Sequence, residues 1–184
     1  YGVAADKVPL YGLAFAVGNL CGALLLGPLF DIVGRRPVLS GTHIVSGVLL
    51  AISGLMFDKG HLDATTQTFC WIVIFFFASA GASAAYLTVS ETWPIEIRAE
   101  AIAVFFAIAQ IFGAFGPAFY GALIGDGTSR TGLFVGYVIG GAIMVIGGIV
   151  ELAIGIKAEG KSLEAITKPI TATDQAPAAV PELA

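Results

Sequence analysis

The chain has 184 residues, 57% of them hydrophobic and only 12% charged, with a formal net charge of −4 at pH 7. Water-soluble domains run at about 45–50% apolar with glycine included, so an ordinary soluble globule is excluded. A mean hydropathy of +0.90 points to the lipid bilayer as the chain's main surrounding. Most of the charge lies in loops and the tail, so the acidic balance says little about partners.

Five apolar stretches follow one another, each with few or no charges: Val8–Phe30, Val38–Phe57, Phe69–Val89, Ala101–Ile124 and Leu133–Ile156. A helix rises ~1.5 Å per residue, so about 20 apolar residues cross the ~30 Å hydrocarbon core. Each stretch therefore reads as a membrane-spanning helix, and Asp31–Pro37, Asp58–Thr68, Ser90–Glu100 and Gly125–Gly132 are the polar connections between them. A β-barrel would show alternating segments of ~10 residues, and none occur. The predicted class is all-α, a polytopic membrane helix bundle of five transmembrane helices. Both cysteines, Cys21 and Cys70, fall inside spans, which argues against a disulfide framework.

On the first helix Tyr11, Phe15 and Asn19 share a face, at i, i+4 and i+8. Small-residue pairs that permit close helix approach recur at Gly18/Gly22, Gly121/Gly125 and Gly136/Gly140. The first connection concentrates scarce charge in Gly27-Pro28-Leu29-Phe30-Asp31-Ile32-Val33-Gly34-Arg35-Arg36. At a helix C-terminus Asp31 opposes the macrodipole and needs a partner. The second helix carries His43 near its start. On the third, Ser79, Ser83 and Tyr86 line one face, and Ser79 and Ser83 read as interhelical hydrogen-bond donors. The fourth sets Gln110 ahead of Gly113, Gly116 and Pro117. Amides in hydrocarbon need partners, so Asn19 and Gln110 are expected to face the bundle interior or a wet cavity. His43 and Glu151 sit near a membrane boundary, where side chains reach water by snorkelling; neither reads as a proton carrier.

Lys and Arg set the orientation. One side collects Arg35, Arg36, Arg98, Lys157, Lys161 and Lys168, the other Lys7, Lys59 and Arg130. The excess favours a cytoplasmic C-terminus and an N-terminus outside. A brief helix is expected over Ser162–Ile166, and disorder over 168–184, where Ala, Pro and Thr dominate.

The sequence Gly155-Ile156-Lys157-Ala158-Glu159-Gly160-Lys161-Ser162 satisfies the P-loop expression, but that motif needs a strand before it and a helix after it. Gly155 ends a membrane span, so nucleotide binding is rejected. No metal-ligand spacing, nucleophile arrangement or carboxylate pair stands out. The expectation is a non-enzyme with no cofactor and no nucleic-acid partner.

The charged connection resembles the Gly-x-x-x-Asp-x-x-Gly-Arg-Arg loop of the major facilitator superfamily of membrane transporters. Glu91-Thr92-Trp93-Pro94-Ile95-Glu96-Ile97-Arg98 is similar to the Glu-x-x-Pro-x-x-x-Arg pattern that follows helix ten in sugar porters and related metabolite:proton symporters. Glu159-Gly160-Lys161-Ser162-Leu163-Glu164-Ala165-Ile166 is similar to a segment that follows helix twelve in sugar porters. The resemblance extends to about Thr167 and implies helices eight to twelve of a twelve-helix transporter, so residues 1–167 are expected to be part of a C-terminal transmembrane domain. A chain that starts at Tyr1 rather than Met fits that expectation of a piece of something longer, with the N-terminal half as its missing partner. Ile32 replaces the usual basic residue after the Asp, and Tyr86 stands where many sugar porters carry a sugar-contacting Trp.

The resemblance further implies that Asp31 meets a helix N-terminus in the other half, closing an inward gate. It implies that Glu91 pairs with an arginine of its own half's loop, Arg35 or Arg36, with Arg98 extending the network. Helix ten lines the central cavity by resemblance, which makes Tyr86 the first candidate solute contact beside Tyr11, Asn19 and Gln110. The expected function is transport of a small organic solute, a sugar or carboxylate-type metabolite, by proton symport across the plasma membrane. A non-transporting assembly or regulatory partner and a drug efflux antiporter remain open as alternatives.

Overall fold

The computed structural model describes residues 8–127, 129–156, Thr167 and Ile170. Among them every regular element is a helix: α1 (Val8–Leu26), α2 (Leu29–Ile32), α3 (Arg35–Asp58), α4 (Ala64–Thr92), α5 (Arg98–Ile124) and α6 (Thr131–Ile154). Five segments are long and apolar enough to cross a membrane, with α1 and α2 counted together as Val8–Ile32. The short helix expected over Ser162–Ile166 lies outside the described residues, as do the P-loop-like run beyond Ile156 and nearly all of the tail expected to be disordered.

The helix boundaries differ from the sequence reading in ways local chemistry explains. The first span is not continuous. Gly27 and Pro28 part α1 from the single turn α2, so Asp31 belongs to that turn rather than to the C-terminus of a long helix. Proline has no N–H to continue the ladder. Gly34 then adopts φ 109°, a backbone that glycine enters without penalty, and this reversal starts α3 at Arg35. Pro37 falls in the first turn of α3, where no amide donor is required, so the helix begins three residues ahead of the apolar run.

The start of α4 also precedes its apolar run. Asp63 caps it: the Thr66 amide donates to the Asp63 carboxylate at 2.7 Å and the Asp63 amide donates to Thr66 Oγ1 at 2.9 Å. This reciprocal capping box satisfies two donors that a helix start leaves open. The far end of α4 is set by Trp93, extended at φ −104°, ψ 144°, as expected for a residue before proline.

Glycine decides the packing. Along α3 and the antiparallel α6, Ser40, Gly47 and Gly54 face Gly148, Gly141 and Tyr137 in turn. Along the parallel pair α1 and α4, buried Gly18 and Gly22 lie against the main chain of Ile72 and Phe76. Gly136 and Gly140 form a notch for the Tyr120 ring, whereas among the described residues nothing approaches Gly121 or Gly125. So two of the three small-residue pairs in the sequence become contacts. The interior they leave is small: Phe30, Leu39, Ala80 and Ala84 at one end, and Phe57, Leu133 and Tyr137 at the other. Leucines, isoleucines and phenylalanines cover the outside, which costs nothing in lipid because acyl chains are as apolar as they are.

Between α3 and α4 runs a polar seam. Ser46 is fully buried and donates to Thr42 O at 2.7 Å, with Ile74 O of α4 at 3.4 Å. α5 differs from the other spans in that none of its residues is buried. It is held to α4 by the stack of Tyr86 on Phe106, and to α6 by Tyr120.

Candidate functional site

The ends of α2, α4 and α6 and the starts of α3 and α5 share one face of the bundle, called here the charged end. Three consecutive residues at the end of α4 are each held by a different segment. Glu91 forms an ion pair with Arg35 at the start of α3. The Thr92 carbonyl accepts a 2.7 Å hydrogen bond from Thr167 Oγ1. The Trp93 carbonyl accepts from Nε and Nη2 of Arg98, both at 3.3 Å. Arg98 therefore joins the same end of α4 through the main chain and makes no direct bond to the Glu91 carboxylate.

Arg35 is about nine-tenths buried and the Glu91 side chain is 19% exposed. A guanidinium buried to that degree requires a counter-charge, and removing one member of such a pair costs about 3–5 kcal/mol. Arg36 turns the other way. Its guanidinium donates to the carbonyls of Leu152, at 2.6 Å from Nε, and of Ala153, at 3.2 Å from Nη2. These are last-turn carbonyls of α6, which lack helical partners and sit at the negative end of the macrodipole. One Gly-Arg-Arg tripeptide thus ties the start of α3 to the ends of both α4 and α6.

Asp31 is exposed at the rim of a cleft whose walls include Gly27, Phe30 and Arg35 on one side and Ala80, Ser83 and Ala84 of α4 on the other. No other described residue hydrogen bonds or pairs with its carboxylate, so no helix N-terminus meets it among the described residues.

The four candidate solute contacts do not converge. Tyr11 lies at the opposite end, where its hydroxyl is 3.2 Å from Thr65 Oγ1 and its ring lines a cavity with Phe15, Gln67 and Trp71. Asn19 has its side chain exposed, and its main-chain carbonyl takes a 2.6 Å bond from Ser79 Oγ. That bond is the interhelical use expected of Ser79. Gln110 is exposed on α5. Tyr86 lies flat on Phe106 with ring centroids 4.4 Å apart and planes at 4°, and Phe105 meets its edge at 5.7 Å.

His43 is half-buried, and its ring lies close to Gly81 of α4. Its Nδ1 stands 2.9 Å from Leu39 O, and since a carbonyl only accepts, Nδ1 carries the proton. Glu151 is half-buried in the last turns of α6.

Two constellations at the opposite end escaped sequence reading. Arg130, just before α6, donates to Phe57 O at 3.1 Å and Leu62 O at 3.3 Å, with its guanidinium 4.6 Å from the Phe57 ring centroid. Beside it Thr131 donates to Asp58 at 3.0 Å. Gln67 is buried on α4; with its amide turned to satisfy both neighbours, it donates to Ser53 O at 3.2 Å and accepts from Trp71 Nε1 at 3.0 Å. A lone Arg in a loop and a lone Gln before an apolar run carry no sequence signal for such long-range partners.

A five-span helical bundle with arginines of one connection locking two helix ends is a polytopic membrane protein built to hold its loops in a defined arrangement. The chain belongs to the Major Facilitator Superfamily, whose sequence profile matches residues 1–176. Members of that family are membrane transporters and not enzymes. None of the curated proteins compared with the chain matches it.

Proposed function

We propose that this chain is the second-half portion, helices eight to twelve, of a secondary transporter that moves a small organic solute, a sugar or carboxylate-type metabolite, by proton-coupled alternating access. The charged end faces the cytoplasm and the protein resides in the plasma membrane. The observation that carries the reading is the Arg35–Glu91 ion pair, which fixes the start of α3 to the end of α4 beside the exposed Asp31. In this reading the ion pair holds the helix ends in the arrangement seen here and is released when the two halves of the transporter rock into the other.

Glycine packing supplies the rigid parts for such a motion, with α3 against α6 and α1 against α4. Rigid bundles rocking about a midplane site produce alternating access without repacking their interiors. Asp31, open at the rim of its cleft, is the group left to meet the other half of the transporter. Tyr86 stands on α4 with one ring face taken by Phe106 and an edge met by Phe105, both of α5, so solute contact there uses the ring face turned away from α5.

Uptake into proteoliposomes tests the reading. The native-length polypeptide containing this sequence would be reconstituted and offered labelled hexoses, monocarboxylates and dicarboxylates under an imposed inward proton gradient. Uptake of one solute class that collapses with a protonophore supports it. A monodisperse protein that takes up none of them, with or without the gradient, overturns it.

A further inference from the structure

We propose that Thr167 is a latch: its hydroxyl holds the charged end of α4, and with it the Arg35–Glu91 pair, so that a negative charge on Thr167 loosens the gate. The last carbonyls of a helix have no intrahelical donor. At the end of α4 the chain leaves the helix at Trp93 and enters Pro94, which has no N–H to offer. The Thr92 carbonyl therefore needs a donor from elsewhere, and Thr167, 75 positions along the chain, supplies it at 2.7 Å from a half-buried site.

The location gives this bond its weight. Glu91, Thr92 and Trp93 are three consecutive residues, held by Arg35, Thr167 and Arg98 respectively. Two of these grips use arginine charge; the Thr167 grip uses a neutral hydroxyl. A donor hydroxyl suits the negative end of the α4 macrodipole, whereas an anion at the same point meets that dipole and the nearby Glu91 carboxylate with like charge. The latch is thus closed by a neutral threonine and opened by an acidic group there. The contact itself is independent of transport, but its role in gating rests on the transporter reading.

Hydrogen–deuterium exchange on the native-length polypeptide in lipid nanodiscs tests the latch without requiring a known solute. Four forms would be compared: unmodified, Thr167→Val, Thr167→Ser and Thr167→Glu. A net hydrogen bond corresponds to about a threefold to tenfold change in local opening. The amides of Thr88–Thr92 are therefore expected to exchange that much faster in the valine form, at the original rate in the serine form and fastest in the glutamate form. The α3–α6 crossing at Gly47 and Gly141 serves as the internal reference and stays unchanged. Unchanged exchange in both the valine and glutamate forms overturns the latch. So does a serine form as loose as the valine form, or faster exchange spread equally through α3 and α6. A failed uptake assay would count against transport while leaving these exchange rates as they are.

Discussion

Gly47 of α3 and Gly141 of α6 lie main chain against main chain: a Cβ placed on either would stand 2.5 Å from the carbonyl oxygen of the other. Backbone cannot yield as a flexible side chain can, so any larger residue separates the helices. Overpacking of this kind costs about 1–3 kcal/mol. Gly141→Leu is expected to lower the thermal midpoint of the purified protein in detergent by several degrees. Gly147→Leu, on the same helix, has open space around its added side chain and should leave the midpoint within a degree or so. Equal midpoints for the two would show that the glycine contact does not hold α3 to α6.

The Arg35–Glu91 pair calls for a double-mutant cycle. Arg35→Ala or Glu91→Ala leaves a charge without its partner in a largely buried place, and each is expected to destabilise by about 3 kcal/mol, the lower end of the buried range because Glu91 keeps some exposure. The combined alanine form should cost less than the sum of the two. Arg98→Ala removes only two long bonds to one carbonyl and should cost about 1 kcal/mol. Chemical or thermal unfolding of the original, the three alanine forms of the cycle and Arg98→Ala in one detergent decides it, and strict additivity would mean that the two charges do not interact.

Hydropathy exposes the spans because lipid demands long apolar helices, whatever their tertiary partners. Their ends were less legible. The capping box of Asp63 and Thr66 and the first-turn Pro37 are short local signals that lie outside the apolar runs, so the sequence reading placed both helix starts too late. The break at Gly27-Pro28 was visible as residues yet hidden by the hydropathy of Leu29 and Phe30. At the charged end, the Gly-Arg-Arg and Glu91 signatures point to groups that the structure places together, but not to their division of labour. Which arginine takes the carboxylate and which takes the α6 carbonyls depends on how α6 crosses α3, and that crossing is set by Gly47 and Gly141, too far apart in the sequence for any local pattern to report. Tyr11, Asn19 and Gln110 stand out in the sequence by polarity inside spans and Tyr86 by resemblance, and neither property reports which face a helix turns to its neighbours.

Arg130 is predicted to be the main tie at the opposite end. It bonds two main-chain carbonyls and covers the ring of Phe57, itself 2% exposed. Hydrogen bonds to a charged donor contribute about 1.5–3 kcal/mol. Arg130→Ala is therefore expected to destabilise by about 2 kcal/mol. Arg130→Lys should recover less than half of that loss, because an ammonium offers neither the planar fork nor the stacking face. Thermal unfolding of the three forms is the measurement; a lysine form as stable as the original would reduce the role of Arg130 to its charge alone.

Acid should open the start of α4 at a pH set by Asp63. The amide of Thr66, then its hydroxyl, bonds the Asp63 carboxylate and holds its pKa below the ordinary value of 3.8. Because the folded-state pKa is the lower one, the cap's contribution is fully present above the unfolded-state value near pH 4. It is lost as the pH falls from there through the folded-state pKa. Amide exchange at Ala64–Gln67 should accordingly be constant from pH 7 to about pH 5, after correction for intrinsic rates, and accelerate below pH 4. Asp63→Asn keeps an oxygen acceptor for the Thr66 amide but has no proton to gain, so its corrected exchange should stay flat across the same range. An asparagine form that accelerates in acid as the original does would place the acid-sensitive group elsewhere.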